Sequence, residues 1–278
     1  MRKHTVVSST GVDALVPADV EPIGVNEATW TVEGSWRLLK SNAMPAHKTG
    51  AFPNPGNPNR ISAQSISAQI PANPEVAAAP TPVKEPGWTL NGVPFDPGAG
   101  EFYLGDPSLG WQYEALSGAV PLGIDENYAH VQPTGKYHYH GLPTLFLEAQ
   151  GVRFDAHSPQ VGWAADGFPI YALYGYEDPK SASSAIVEHS SSYRLKEGTR
   201  PSGEGQPGGA YDGTFNADYE YVAGAGTLDA CNGLWTVTPD FPQGTYAYFL
   251  SGSHPVVPRC VVGTPDRSMR RPPPPQRP

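Results

Sequence analysis

The sequence predicts a single mainly β domain, a β-sandwich or meander with short helices and long ordered loops. Two observations carry this expectation. Glycine and proline, 31 and 32 of 278 residues, are together about twice as frequent as in an ordinary domain, and they are scattered. Between them lie short aromatic and β-branched runs that alternate polar with apolar, the period of a half-buried strand.

Taken in order, residues 1–25 carry no periodicity and read as a flexible arm. Ala28-Thr29-Trp30-Thr31-Val32 and Trp36-Arg37-Leu38-Leu39 read as a strand and its successor, with Gly34 between them. The Pro/Asn/Gly density from Ser41 to Asn59 forbids regular structure and predicts a defined loop. Ile66, Ala68 and Ile70 alternate as a strand. Residues 71–86, with five spaced prolines, read as a connection. Asn91-Gly92 is a hairpin signal, and residues 111–116 fit either a helix or a strand. Leu145 to Gln150, followed by Gly151, fits a short helix with a glycine just past its end. A turn and a buried strand follow over 164–174. Residues 181–193 are Ser-rich and predict a surface loop, and 198–209 a second one. The runs 219–222, 234–238 and 246–250 read as a meander. The basic, Pro-rich tail 269–278 reads as polyproline-like. The domain itself is expected over 26–268.

Several function classes are disfavoured by composition. A net charge of -9 argues against nucleic acid, whose phosphates need a basic face. No run of about 18 apolar residues exists to span a membrane. Arg2, Lys3 and His4 are not followed by an apolar segment, so no signal peptide is visible; the chain reads as cytosolic or as a mature form. Cys231 and Cys260 are an even pair outside any CxxC arrangement. They read as one structural disulfide, with two buried free thiols as the alternative.

The stretch richest in chemistry is Gly135-Lys136-Tyr137-His138-Tyr139-His140-Gly141. On a strand, successive side chains alternate faces, so His138 and His140 share one face while Tyr137 and Tyr139 share the other. Two imidazoles on one rigid face make half of a metal site or a pair of proton-transfer groups. Gly244-Thr245-Tyr246-Ala247-Tyr248 repeats the frame with alanine in place of the first histidine. The tyrosines are therefore expected to hold the strand.

Around this motif lie Ala129-His130-Val131-Gln132-Pro133-Thr134, Gly141-Leu142-Pro143, and the run Gly162-Trp163-Ala164-Ala165-Asp166-Gly167-Phe168-Pro169-Ile170-Tyr171. Asp212-Gly213-Thr214-Phe215, Cys231-Asn232-Gly233 and Pro258-Arg259-Cys260 follow, with Asn42, Pro45 and His47 upstream. Over about 28–267 the chain resembles the YHYH-domain proteins. The resemblance implies one domain, an extracellular or periplasmic location and the disulfide; it implies no reaction.

Candidate site residues follow from chemistry. His138 and His140 are expected to bind a metal, with His157 first and His130 second as further ligands; imidazole-rich sites suit copper or zinc. Tyr137, Tyr139 and Asp166 are candidates for catalytic or orienting groups, and His47 and Asn42 for lining a substrate. His4 and His189 are expected in solvent, and His254 at a strand end. With an open position, the site would serve a metal-dependent oxidase or hydrolase. Two alternatives stand beside this: metal-free acid–base chemistry, and a core histidine pair in a secreted binding or adhesion module. The 14 tyrosines and six tryptophans would then allow a carbohydrate or other small-molecule partner.

Overall fold

A computed structural model of the chain describes residues 15–265. His4, residues 1–14 of the expected arm and the tail 269–278 lie outside the described residues. The first half contains β1 (Ala28–Glu33), β2 (Trp36–Ser41), β3 (Ile66–Pro71), β4 (Val76–Pro82), β5 (Gly87–Thr89), β6 (Ala129–Val131) and β7 (Tyr137–Tyr139). Helix α1 (Thr144–Ala149) follows, and then β8 (Gly162–Ala164), β9 (Pro169–Ala172), β10 (Tyr174–Tyr176) and β11 (Ile186–Glu188). The last third adds β12 (Tyr193–Leu195), β13 (Ser202–Gly203), β14 (Gln206–Pro207), β15 (Tyr219–Tyr221), β16 (Gly233–Thr236), β17 (Thr245–Leu250) and β18 (Cys260–Gly263).

The fold is mainly β, as expected, and its strands fall into small sheets. β1-β2-β3 form an antiparallel three-stranded sheet. A five-stranded sheet runs in the order β16-β17-β9-β8-β5, and five two-stranded pairs complete the set. α1 ends as expected: Gln150 caps it and Gly151 takes φ +77°, a conformation that favours glycine.

Several local expectations fail for identifiable reasons. The last third is no simple meander, because β15 pairs with β12, while β17 runs parallel to β9. β17 is buried along its whole length, and a strand covered on both faces can sit centrally with a parallel neighbour. The proline-spaced connection contains β4, paired with β18. This two-stranded pair leaves each strand an edge where a proline costs no ladder bond. Residues 15–25 are tied to the body through Val16 N to Ile124 O (2.9 Å) and the mutual Val20–Thr49 bonds.

The core is aromatic. Trp88, Phe95, Tyr137, Tyr139, Tyr171, Tyr248 and Phe249 are all fully buried. A buried phenol needs a partner, and the two Tyr-x-Tyr strands solve this alike. Tyr137 donates to Asp125 Oδ2 (2.7 Å), Tyr246 to Asp229 Oδ2 (2.8 Å) and Tyr248 to Asp166 Oδ2 (2.6 Å). Cys231 and Cys260 are joined by a disulfide, which links the segment entering β16 to β18.

Candidate metal centre

The centre is built on the β6–β7 hairpin. Its turn closes through Gly135 N to Gln132 O (2.8 Å) and Gln132 N to Lys136 O (3.0 Å). Gly135 has φ +86°, and a Cβ there would meet Ser62 Oγ at 1.9 Å, so this turn requires glycine. The resulting register sets His130 directly opposite His138. Paired residues on adjacent strands point to the same face, and His140, two residues past His138, continues that face. The other edge of β7 is held by Tyr139 N to Pro94 O (3.0 Å) and Asp96 N to Tyr139 O (2.9 Å). Just beyond, His140 N donates to Tyr128 O (2.8 Å).

Three imidazoles thus converge: ring nitrogens of His130, His138 and His140 all lie within 4.8 Å of one another. Their centroids are 4.6–4.7 Å apart, at steep interplanar angles. His130 Nδ1–H donates to Leu122 O (2.9 Å) and His138 Nδ1–H to Lys136 O (3.2 Å). Both rings are thereby fixed in the tautomer that leaves Nε2 as a lone pair. Metal-binding histidines are oriented in this way, by a carbonyl on the far nitrogen.

His140 Nε2 lies 3.0 Å from His138 Nε2, and His140 Nδ1 is buried with no partner in good hydrogen-bond geometry, the Asp96 backbone being a weak acceptor for its protonated form. One imidazole nitrogen is therefore always unsatisfied. If Nε2 carries the proton, Nδ1 is a bare buried acceptor; if Nδ1 carries it, two lone pairs face each other. A cation between the Nε2 atoms removes the conflict. At a Zn–N distance of about 2.0–2.1 Å, two imidazole nitrogens on a tetrahedral ion are about 3.3 Å apart, close to the separation found.

Electrostatics keeps the rings neutral. Burial pushes the His138, His140 and His130 imidazoles below their ordinary range, and mutual repulsion adds to this at His138 and His140. Neutral imidazole is the form that binds a metal.

The opposite face carries the tyrosines, as the alternation requires. Tyr139 donates to His47 Nε2 (2.6 Å), and His47 Nδ1–H donates to Lys48 O (2.7 Å). Tyr137 is held by Asp125, which also accepts from Gly50 N (2.9 Å) and Asn127 N (2.9 Å). Burial pushes the Asp125 carboxyl up to about 6. His47, Tyr137 and Tyr139 therefore brace the strand from behind.

The remaining candidates lie elsewhere. His157 is not with the three imidazoles; it packs on Tyr171 and Tyr176, its Nδ1–H bound to Ser158 O (2.7 Å). Asp166 is buried and accepts from Tyr248, Gly263 N (2.7 Å) and Phe168 N (3.3 Å), which makes it a loop organiser. Asn42 accepts from Met44 N in its own loop and ties that loop to the segment before β1, accepting from Glu27 N and donating to Val25 O. His189, expected in solvent, is 2% exposed and packs on Phe249; the Ser-rich loop turns inward because its polar groups find partners, Ser192 Oγ donating to Leu228 O (2.5 Å). His254 stacks on Tyr219 and faces Glu114. The backbone carbonyls that orient His130 and His138 have no sequence signature, since any residue supplies one.

No helix of the described residues is long and apolar enough to cross a membrane. Among known proteins, a family model described as YHYH protein matches residues 67–263, most of the chain and all of the hairpin. No curated protein and no solved structure matches the chain.

Proposed function

The chain belongs to the YHYH protein family, and on that premise we propose that His130, His138 and His140 bind a transition-metal ion, copper or zinc, in an extracytoplasmic protein. The observation that carries the reading is the convergence of three neutral imidazoles, two oriented by backbone carbonyls and the third left with an unsatisfied nitrogen. Nitrogen donors of intermediate softness suit both ions. Three protein ligands leave a position for water or substrate, the arrangement that supports metal-assisted hydrolysis or oxidation. The phenols of Tyr137 and Tyr139 point away and are engaged, so they are assigned a supporting role. The Cys231–Cys260 bridge suits an oxidising compartment.

One observation favours the alternative of a histidine cluster that is purely structural. The 3.0 Å separation of the two Nε2 atoms is also a hydrogen-bond distance, and a protonated Nε2 on His140 would fill it. Metal content separates the two. Protein purified without a polyhistidine tag is expected to carry close to one copper or zinc per chain. The ion should be lost in His138→Ala plus His140→Ala with the circular dichroism spectrum unchanged. A metal-free wild type that neither copper nor zinc reloads would overturn the proposal.

A further inference from the structure

On the imidazole face of the hairpin stands a buried carboxylate whose second oxygen the scaffold leaves nearly free. β7 has neighbours on both edges. Opposite the edge that pairs with β6, Phe95 bridges Tyr139 in parallel, through Tyr139 N to Pro94 O and Asp96 N to Tyr139 O. Bridged residues share a face, and the Phe95 and Tyr139 rings pack with centroids 5.9 Å apart. Asp96, the next residue, therefore points to the other face, the one that carries His138 and His140. A second contact places it there independently. Gln132 stands two residues past His130, on the face of that imidazole, and its Nε2–H donates to Asp96 Oδ2 (3.4 Å). Gln132 and Asp96 come from opposite sides of β7, so their bond spans the strand on the side where the imidazoles project. The Asp96 backbone also faces His140.

Asp96 is 3% exposed. Its Oδ1 accepts from Gly98 N (3.1 Å) and closes a turn, while Oδ2 has only the long bond from Gln132. A carboxylate oxygen offers about two acceptor sites, and buried polar atoms are ordinarily satisfied. Among the described residues Asp96 has no salt-bridge partner; Lys136, on the same face, is taken by Glu85. Asp96 is not one of the residues whose ligand atoms converge with the three imidazoles. It would therefore meet an ion held there through an intervening water.

We propose that Asp96 is a positioning residue of the His130/His138/His140 site: its Oδ2 accepts a hydrogen bond from a water held at the open position of the ion, and Gln132 holds the carboxylate on the imidazole face. The proposal rests on the metal reading above, and it names the fourth ligand as water. A small anion in that place has no proton to offer Oδ2 and meets its negative charge. The carboxylate thus favours the ion and its water and disfavours the anion. A carboxylate that only closes the turn at Gly98 would do neither.

The test uses Asp96→Asn, which keeps an oxygen for Gly98 N and loses the charge, with Zn²⁺ alone and then Cu²⁺ alone as probes. Chelator competition should show both ions bound about 10–100-fold more weakly, the usual range for an outer-shell partner. Azide titrated into the copper-loaded protein, followed by its charge-transfer absorption, should bind about fivefold more tightly than to the wild type, because one like charge beside the site is gone. Damage to the site would weaken both, so the opposite signs separate positioning from structure. Melting curves of the ion-free protein check folding. If Asp96→Asn does not fold, Asp96→Ser, whose hydroxyl can also accept from Gly98 N, carries the same two expectations. Ion affinity within about twofold of the wild type, or azide bound no more tightly, would overturn the proposal. A wild type that binds neither ion would instead overturn the metal reading beneath it, so the two failures are distinguishable.

Discussion

Replacing His140 by leucine separates a binding site from a packed core. His140 is 3% exposed, with Nδ1 lacking a well-formed hydrogen bond and Nε2 against His138. An unsatisfied buried polar atom costs about 1–3 kcal/mol, whereas a neutral hydrogen bond contributes about 1 kcal/mol. Leucine removes the unsatisfied nitrogen and the contact together, though it leaves His138 Nε2 without its neighbour. The ion-free variant should therefore unfold within about 1 kcal/mol of the wild type. With free Zn²⁺ at 100 times its dissociation constant, the wild type should gain about 2.7 kcal/mol and the variant nothing. Urea unfolding followed by tryptophan fluorescence, in EDTA and in zinc, measures all four numbers. A variant destabilised by more than about 2 kcal/mol in EDTA, beside a wild type indifferent to zinc, would refute the reasoning and return the histidines to the core.

Three further outcomes are expected. Tyr139→Phe loses the 2.6 Å bond to His47 and should cost about 1–1.5 kcal/mol, with ion affinity unchanged within about twofold because the phenol is on the far face of β7; equilibrium unfolding and chelator competition check the two halves. Burial holds the His189 imidazole down at about 4, so the unfolded chain binds more protons than the native one between there and the ordinary value near 6.5. Stability is lost as pH falls through that window, and the wild type should lose about 3 kcal/mol more than His189→Gln between pH 7.5 and 4. Asp125 acts in the opposite direction, its raised carboxyl favouring the native state as pH falls, but it is common to both proteins and cancels. Replacing Cys231 and Cys260 by alanine opens a loop of 29 residues' separation and should lower unfolding free energy by about 3–4 kcal/mol in denaturant titration.

The half of the site on one strand was legible because a strand has period two: His138 and His140 could only share a face if the segment was extended. The choice of third ligand depended on register. Five residues, Gln132 to Lys136, close the hairpin and bring His130 opposite His138, and Gly135 marks that turn. Nothing local fixes His157, whose place follows from the parallel pairing of β9 with β17, strands separated by more than seventy positions. Composition misled at His189, because serines that look solvated are buried when their hydroxyls find carbonyls. It misled again at β4, where prolines look like a linker but are accommodated in a two-stranded pair.

The central claim is that three imidazoles share one ion. X-ray absorption at the zinc edge, on ion-free protein loaded with one equivalent of Zn²⁺, counts them directly. Three imidazole nitrogens at about 2.0–2.1 Å, falling to two in His130→Ala, is the predicted result. A shell of oxygens with one imidazole or none would contradict it.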